Sequence, residues 1–404
     1  MSNNPKVSVI LTSFNHGRFI GDTIDSILGQ SFRDFELIIA DDCSQDNSWE
    51  IITSYQDSRI KLFKSDVSER GLINKVLKRG LATGEYIAIH HSDDLWEPEK
   101  LEKQVAFLNQ WPEYGAVFTR VKTIDETGNV SEEHSISNRT QEYYLNVFDQ
   151  ENRTRHEWLR RFFYEGNCLC HPSALLRKEC FEKIGYYNPF FRQLPDFDFW
   201  VRLCLSYEIH ILPERLVKFR LHGNESNTSS ATDDNVRRSI YEFFAVLNHF
   251  RKIKDSDFLL KIFPEMEKDL FLPGCFPEYC LAQAALKGNH RSIIFFGILL
   301  LDELMGNEEI REKIKKTHNF TLADYHKVTG SIDLFNELNV VMLNTRIAEM
   351  NNQAEALAEN MAATNQEKLF LQKKMEEMTM SRSWKITAPL RFLDRAVKNI
   401  FAAR

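Results

Sequence analysis

Residues 6–13, KVSVILTS, 35–42, FELIIADD, and 86–94, YIAIHHSDD, decide the fold. Each is a short apolar run that ends in polar residues, the pattern of a strand covered on both faces of an α/β sheet. Asn15-His16-Gly17 breaks the first run, and Ile20, Ile24, Ile27 and Leu28 then recur at helical spacing. Ser44, Asp46, Asn47 and Ser48 form a turn suited to capping a helix near Trp49. Ile60–Phe63 reads as another strand. Leu72–Leu81 reads as a helix stopped by Gly84, and Pro98 opens a helix through Asn109. Strands alternate with helices four times in about 110 residues, which predicts a doubly wound, mostly parallel sheet.

In such sheets ligands sit outside the carboxyl ends of the strands. Two of those ends carry acid pairs, Asp41/Asp42 and Asp93/Asp94. One pair alone would read as helix capping. Two pairs facing one crevice predict a shared anion or metal site. Carboxylates tolerate a diphosphate only with a divalent cation between them, so Asp93 and Asp94 are the candidate ligands for Mn²⁺ or Mg²⁺. His91 either adds a nitrogen ligand, better suited to Mn²⁺, or is a hydrogen-bonding residue.

Farther along, Ala116–Val121 reads as a strand and 125–129 as a hairpin turn, followed by a polar stretch to about 157 suited to covering a substrate. The Ser/Asn/Thr cluster ending at Ser230 marks a domain edge. Residues 231–338 read as an all-α accessory region without a catalytic pattern. From Val340 to Met378, twelve positions step by three and four, and ten are apolar; only Thr364 and Lys368 are not. That heptad predicts a coiled coil over 339–380, with self-association as the expected partner, against a helix folded back on its own domain. Residues 381–404 carry six Lys or Arg and one Asp. After Pro389, Leu390, Leu393, Val397, Ile400 and Phe401 fall opposite Arg391, Arg395 and Lys398. This amphipathic tail suits either an anionic membrane surface or a protein groove.

Of the 404 residues, 43% are hydrophobic and 27% charged, which excludes wholesale disorder. The net charge of -7 argues against a nucleic-acid partner. Seven cysteines without a CxxC pair predict free buried thiols in a reducing compartment, not a disulfide framework or structural zinc site. The sequence shows no signal peptide pattern, and its longest apolar run, Ile293–Leu301, is too short to span a bilayer. The expected location is cytoplasmic, with peripheral contact at the inner face of the cell membrane.

The stretches PKVSVILTSFNHGRFIGDTIDSILGQSF, FELIIADDCSQDNS and GEYIAIHHSDDLWEPEKLEKQ resemble glycosyltransferase family 2, inverting nucleotide-sugar transferases with a GT-A fold. HPSALLRKECFEKIGYYN, LPDFDFWVRL and LVKFRLHGN resemble the second half of that domain, so the likeness covers about residues 5–225 and places a GT-A domain at 1–230. SRSWKITAPLR resembles a tail segment of bacterial polysaccharide-assembly transferases.

The resemblance implies a role for each matching residue. Asp42 meets the nucleotide base, Thr12 lines the nucleotide pocket, and His91–Asp94 match the DxD-type metal and ribose region. Asn74 lies where a nucleotide contact is expected, and Arg220 and His222 match a segment near the diphosphate. Asp196, at the position of the ED motif, is the implied general base. Three departures stand out: His91 replaces the first DxD acid, Pro195 replaces the Glu of the ED motif, and Ile73-Asn74 replaces Arg-Asn, so that one diphosphate contact is either missing or supplied by Arg70.

The implied reaction is inverting transfer from a UDP- or dTDP-sugar to a glycan or lipid-linked glycan, in O-antigen or capsule synthesis. An acceptor hydroxyl is a poor nucleophile, so a carboxylate must take its proton, opposite the metal. Phe197, Phe199 and Trp200 either raise the Asp196 pKa and offer a sugar-stacking face, or are core with Asp196 as an N-cap. Two rivals remain. A sugar-phosphate nucleotidyltransferase wants a Gly-rich basic loop, whereas residues 12–18 hold one glycine; a non-catalytic scaffold would act through the coiled coil. A Rossmann dehydrogenase is disfavoured by the missing GxGxxG.

Overall fold

The computed structural model describes residues 4–68, 71–130, 147–222, 232–335, 337–387, 389–393, 395 and 398. The Arg70 contact, residues 131–146 of the polar stretch, the cluster at 223–231, and Val397, Ile400 and Phe401 of the tail lie outside them.

The strands β1 (Val7–Ser13), β2 (Phe35–Asp41), β3 (Ile60–Lys64) and β4 (Tyr86–His91) are joined by α1 (Ile20–Leu28), α2 (Ser48–Ser54) and α3 (Leu72–Lys78). Next come β5 (Leu95–Trp96), α4 (Lys100–Gln110), β6 (Tyr114–Ile124), α5 (Arg155–Glu165), β7 (Leu175–Arg177), α6 (Lys178–Ile184), α7 (Pro195–Cys204) and β8 (Glu208–Arg220). They build one eight-stranded sheet in the order β3-β2-β1-β4-β7-β6-β8-β5. The first half is parallel, as its helical crossovers require. The second half is mixed: β7 runs antiparallel to β4 and β6, β5 antiparallel to β8, and only β6 and β8 pair in parallel. Helix α3 stops at Lys78, ahead of Gly80, which corrects the expected stop at Gly84.

Alternation along each strand divides the core. Val9, Leu11, Leu37, Ile39 and Ala88 pack with Ile20, Ile24 and Ile27 of α1 on one face. Ile10, Ile38, Ala40, Ile87 and Ile89 pack on the other with Trp158 and Phe162 of α5 and Phe197, Phe199 and Trp200 of α7. That second core extends without a break into the helical region through Phe243, Val246, Phe250, Phe263 and Phe296. The region consists of α8 (Asp233–Leu247), α9 (Ser256–Ile262), α10 (Glu267–Leu270), α11 (Pro277–Leu286), α12 (Arg291–Gly306), α13 (Glu308–His318) and α14 (Leu322–Ser331), with short 3₁₀ turns between. Residues 1–329 therefore form one compact unit and residues 330–404 a second.

In the second unit, α15 (Glu337–Met380) is a single helix of 44 residues, about 66 Å long. The side chains of Val340, Leu343, Ile347, Met350, Leu357, Met361, Leu371, Met375 and Met378 are all exposed. Among the described residues, no helix is long and apolar enough to cross a membrane.

Candidate active site

The carboxyl ends of β1, β2 and β4 meet at one edge of the sheet. Thr12 pairs with Ala40 on one side and His91 on the other, and Ser13 pairs with Asp41. Both acid pairs thus leave the sheet beside β1. Side chains lace the two loops that follow β1 and β2: the Asn15 amide donates to Ser44 Oγ (2.9 Å), the His16 amide to Ser48 Oγ (3.0 Å) and the Gly17 amide to Asp46 Oδ2 (2.9 Å). A Cβ at Gly17 would lie 2.0 Å from Asn47 Oδ1, so a larger residue there would have to displace the Asn47 side chain. Asp42 is buried and accepts from Ser68 Oγ (3.0 Å). Asp41 faces inward to accept from the Ser44 amide and hydroxyl (3.0 and 2.6 Å) and has a structural task.

Histidines crowd the turn after β4. His222 lies 2.8 Å from Asp93 Oδ2, and His16 Nδ1 lies 2.8 Å from Ser92 Oγ. His91 Nε2 lies 3.3 Å from His171 Nδ1, whose other nitrogen reaches Tyr187 Oη at 2.9 Å. Asp94 accepts the Arg220 amide at Oδ1 (2.8 Å), while its buried Oδ2 has no hydrogen-bond partner and lies 3.9 Å from His91 Nδ1. Ligand atoms of His91, Asp93 and Asp94 fall within 4.8 Å of one another. A divalent cation fits this donor set: it would satisfy the orphaned Oδ2 and relieve two adjacent carboxylates. One nitrogen among the oxygens suits Mn²⁺ better than Mg²⁺.

The two acids titrate in opposite directions. Burial is the largest influence and works against ionised Asp93, but the His222 hydrogen bond and the neighbouring His16, His91 and His222 rings together outweigh it and hold the carboxyl down to about 2. Asp94 is pushed well up, first by burial and then by the Asp93 charge, with Arg220 only partly offsetting both. Burial lowers the pKa of His16, His91 and His171, which keeps His91 neutral and able to ligate.

The other expected site residues divide. Asp196 sits in the first turn of α7; Leu194 is the N-cap, so Asp196 is not the cap. Its Oδ2 accepts from Asn167 Nδ2 at 3.0 Å, and burial raises its pKa to about 6 against that bond and the Phe197 amide. The Cys170 thiol is pushed up by burial, then by Asp94 and more weakly by Asp196, so it feels both acidic centres. Trp200 is fully buried, edge-on to Phe118 at 4.9 Å, and offers no face to a sugar. Asn74 spends its amide on the Tyr187 backbone (2.8 and 3.1 Å). Arg220 is likewise buried and braces the turn, donating from Nε to the Asp93 carbonyl (2.7 Å) and from Nη1 to those of Asp125 and Glu126 (2.9 and 3.1 Å). All three are held by protein contacts that shape the surroundings of the site.

His16, His171, Tyr187, Asn167 and Glu242 are additions that the sequence reading missed. His16 and His171 stood in quoted motifs; Glu242, in the helical region, carried no signal. Its buried carboxylate accepts the amides of Arg192, Gln193 and Leu194 (2.8, 2.8 and 2.7 Å), which anchors the segment entering α7, and its charge adds to the rise at Asp196. Two residues beyond Asp196, Asp198 is tied to Arg202 (2.7 Å) and His249 (2.6 Å), which hold it ionised despite burial.

The family model described as glycosyl transferase family 2 matches residues 8–185. The chain is 28% identical over 258 residues to the uncharacterized glycosyltransferase MJ1057 of Methanocaldococcus jannaschii, spanning 62% of this chain and 81% of that protein. It is 32% identical over 228 residues to the putative glycosyltransferase EpsE of Bacillus subtilis, spanning 54% and 74%. To the O-antigen biosynthesis glycosyltransferase WbnJ of Escherichia coli it is 26% identical over 265 residues, spanning 61% and 95%.

Proposed function

The chain belongs to glycosyltransferase family 2 and has a GT-A fold, and from that premise we propose that it transfers a sugar with inversion from a UDP- or dTDP-sugar to a hydroxyl of a glycan or lipid-linked glycan. The observation that carries this reading is Asp196: a carboxyl raised to about 6, in the same domain as a corner of acids and histidines suited to a cation. Near neutral pH it is ionised, yet basic enough to accept a proton. The bond that forms joins the acceptor oxygen to the anomeric carbon, the bond to the diphosphate oxygen breaks, and the acceptor proton passes to Asp196.

His91, Asp93 and Asp94 would hold Mn²⁺ or Mg²⁺, which when bound compensates the charge of the diphosphate as a Lewis acid. His222 keeps Asp93 ionised, and Arg220 braces the turn carrying both acids. Asp42 and Thr12, beside the same strand ends, are assigned to the nucleotide. The relative named for O-antigen biosynthesis supports a surface polysaccharide as the acceptor class. With the same proposal go self-association through 340–378, whose apolar stripe is open in the single chain, and docking of the basic segment 381–404 at the inner membrane face.

Transfer of labelled sugar from a panel of nucleotide-sugars, with and without Mn²⁺, tests the reaction. In the productive pair, Asp196→Asn is expected to lower turnover by about a hundred to ten thousand fold while sparing donor affinity. Turnover retained in that variant would remove Asp196 as the base.

A further inference from the structure

A second cluster lies in the helical region, apart from every residue used above. Gly274, at φ 78, turns the chain so that Cys275 precedes α11, and Cys280 follows in that helix's first turns. His318 is the last residue of α13, which Asn319 ends in the left-handed conformation. The fold brings these three together, with ligand atoms within 4.8 Å of one another. A tetrahedral ion with thiolate and imidazole ligands separates their donor atoms by roughly 3.5–3.8 Å, so side-chain adjustments of about an ångström would close the site.

The histidine supplies an independent observation. Its side chain is fully buried, and Nδ1 has no hydrogen-bond partner although Asp269 Oδ1 lies 3.6 Å away. Nε2 accepts the amide of Phe276, the neighbour of Cys275, over 3.4 Å, a long hydrogen bond that a bound ion would replace. An ion on Nε2 forces the proton onto Nδ1, facing Asp269, which is the carboxylate–histidine–metal arrangement that orients ligating histidines. The Tyr279 ring packs on the His318 ring, centroids 4.4 Å apart and tilted by 33°.

We propose that Cys275, Cys280 and His318 bind a zinc-class transition metal ion, with Asp269 orienting the histidine and solvent in the fourth position. Two thiols with one imidazole select such an ion over Mg²⁺. On binding, each thiol loses its proton to solvent. The ion would tie the 271–276 turn to the end of α13, a structural role separate from sugar transfer.

The test uses the full chain, purified under reducing conditions, stripped of metal and titrated with Co²⁺. The expected result is a near-ultraviolet thiolate-to-cobalt charge-transfer band that Zn²⁺ abolishes and that is lost in Cys275→Ser and His318→Ala. The acidic corner at 91–94 offers no thiol ligand, so the band separates the two sites. No band, or one that survives both substitutions, overturns the proposal. If the variants do not fold, alkylation of the wild-type chain decides: Zn²⁺ should slow labelling of Cys275 and Cys280 and leave Cys43 unchanged. Equal labelling with and without Zn²⁺, or a Cys275–Cys280 disulfide in the reduced preparation, would also overturn it.

Discussion

The turn after β4 and the first turn of α7 both carry carboxylates that burial drives toward the neutral form, yet their pKa values end shifted in opposite directions. Asp93 is held down to about 2 because the His222 hydrogen bond and the charges of His16, His91 and His222 together overcome burial; Asp196 is left at about 6 because Asn167 and two backbone amides are weaker compensation and Glu242 adds a like charge. Burial pushes both upward, so the difference between them lies in their neighbours. Two carboxylates pushed apart in this way can divide the labour of one reaction, one as a permanent anion and one as a base.

Exchanging charges at the two places should break that division most severely. Asp93→Asn is expected to weaken Mn²⁺-dependent donor binding as well as turnover, whereas Asp196→Asn loses turnover alone, by a hundredfold or more. Isothermal titration with the donor beside initial rates separates the two; equal loss of affinity in both variants would refute the contrast. Next in size is the pH profile of turnover. A base with its pKa raised to about 6 is ionised above that value, so turnover should be level above pH 7 and fall tenfold per unit below about 6. A limb near 4 would mean that the burial of Asp196 is not felt.

A smaller effect sharpens the same point. Removing the Glu242 charge by Glu242→Gln is expected to move that limb to lower pH, by at most about one unit. A limb that stays in place would make Glu242 an anchor for the 192–194 amides only. Smaller still is a gain in stability. The folded pKa of Asp196 lies above its unfolded value near 3.8, so ionised Asp196 costs stability at neutral pH. Asp196→Asn should therefore raise the melting temperature at pH 7.5, and the gain should shrink below pH 6 and vanish near 4. A constant difference across that range would point to packing instead.

Much of the site was legible because strand ends leave a mark in sequence. Asp42, Asp93 and Asp94 follow apolar runs, and the register of β1, β2 and β4 then brings them to one edge. Asn74, Arg220 and Trp200, expected near the ligand, also make protein contacts that the sequence did not announce, because side-chain type does not tell whether a backbone carbonyl or an aromatic neighbour will be its partner. The mixed half of the sheet was equally hidden: β5 and β7 have only two and three residues, too few to show a period.

The amino-acid order alone determined the alternation of strands and helices, the acids at the strand ends and the long heptad stripe, since each depends on neighbours within a few residues. Only the tertiary structure decided that Glu242 grips the entry to α7, that histidines from three separate segments surround Asp93 and Asp94, and that Cys275, Cys280 and His318 meet. Such contacts join positions far apart along the chain, and their energies arise only when burial removes water and leaves each polar group to the partners the fold provides.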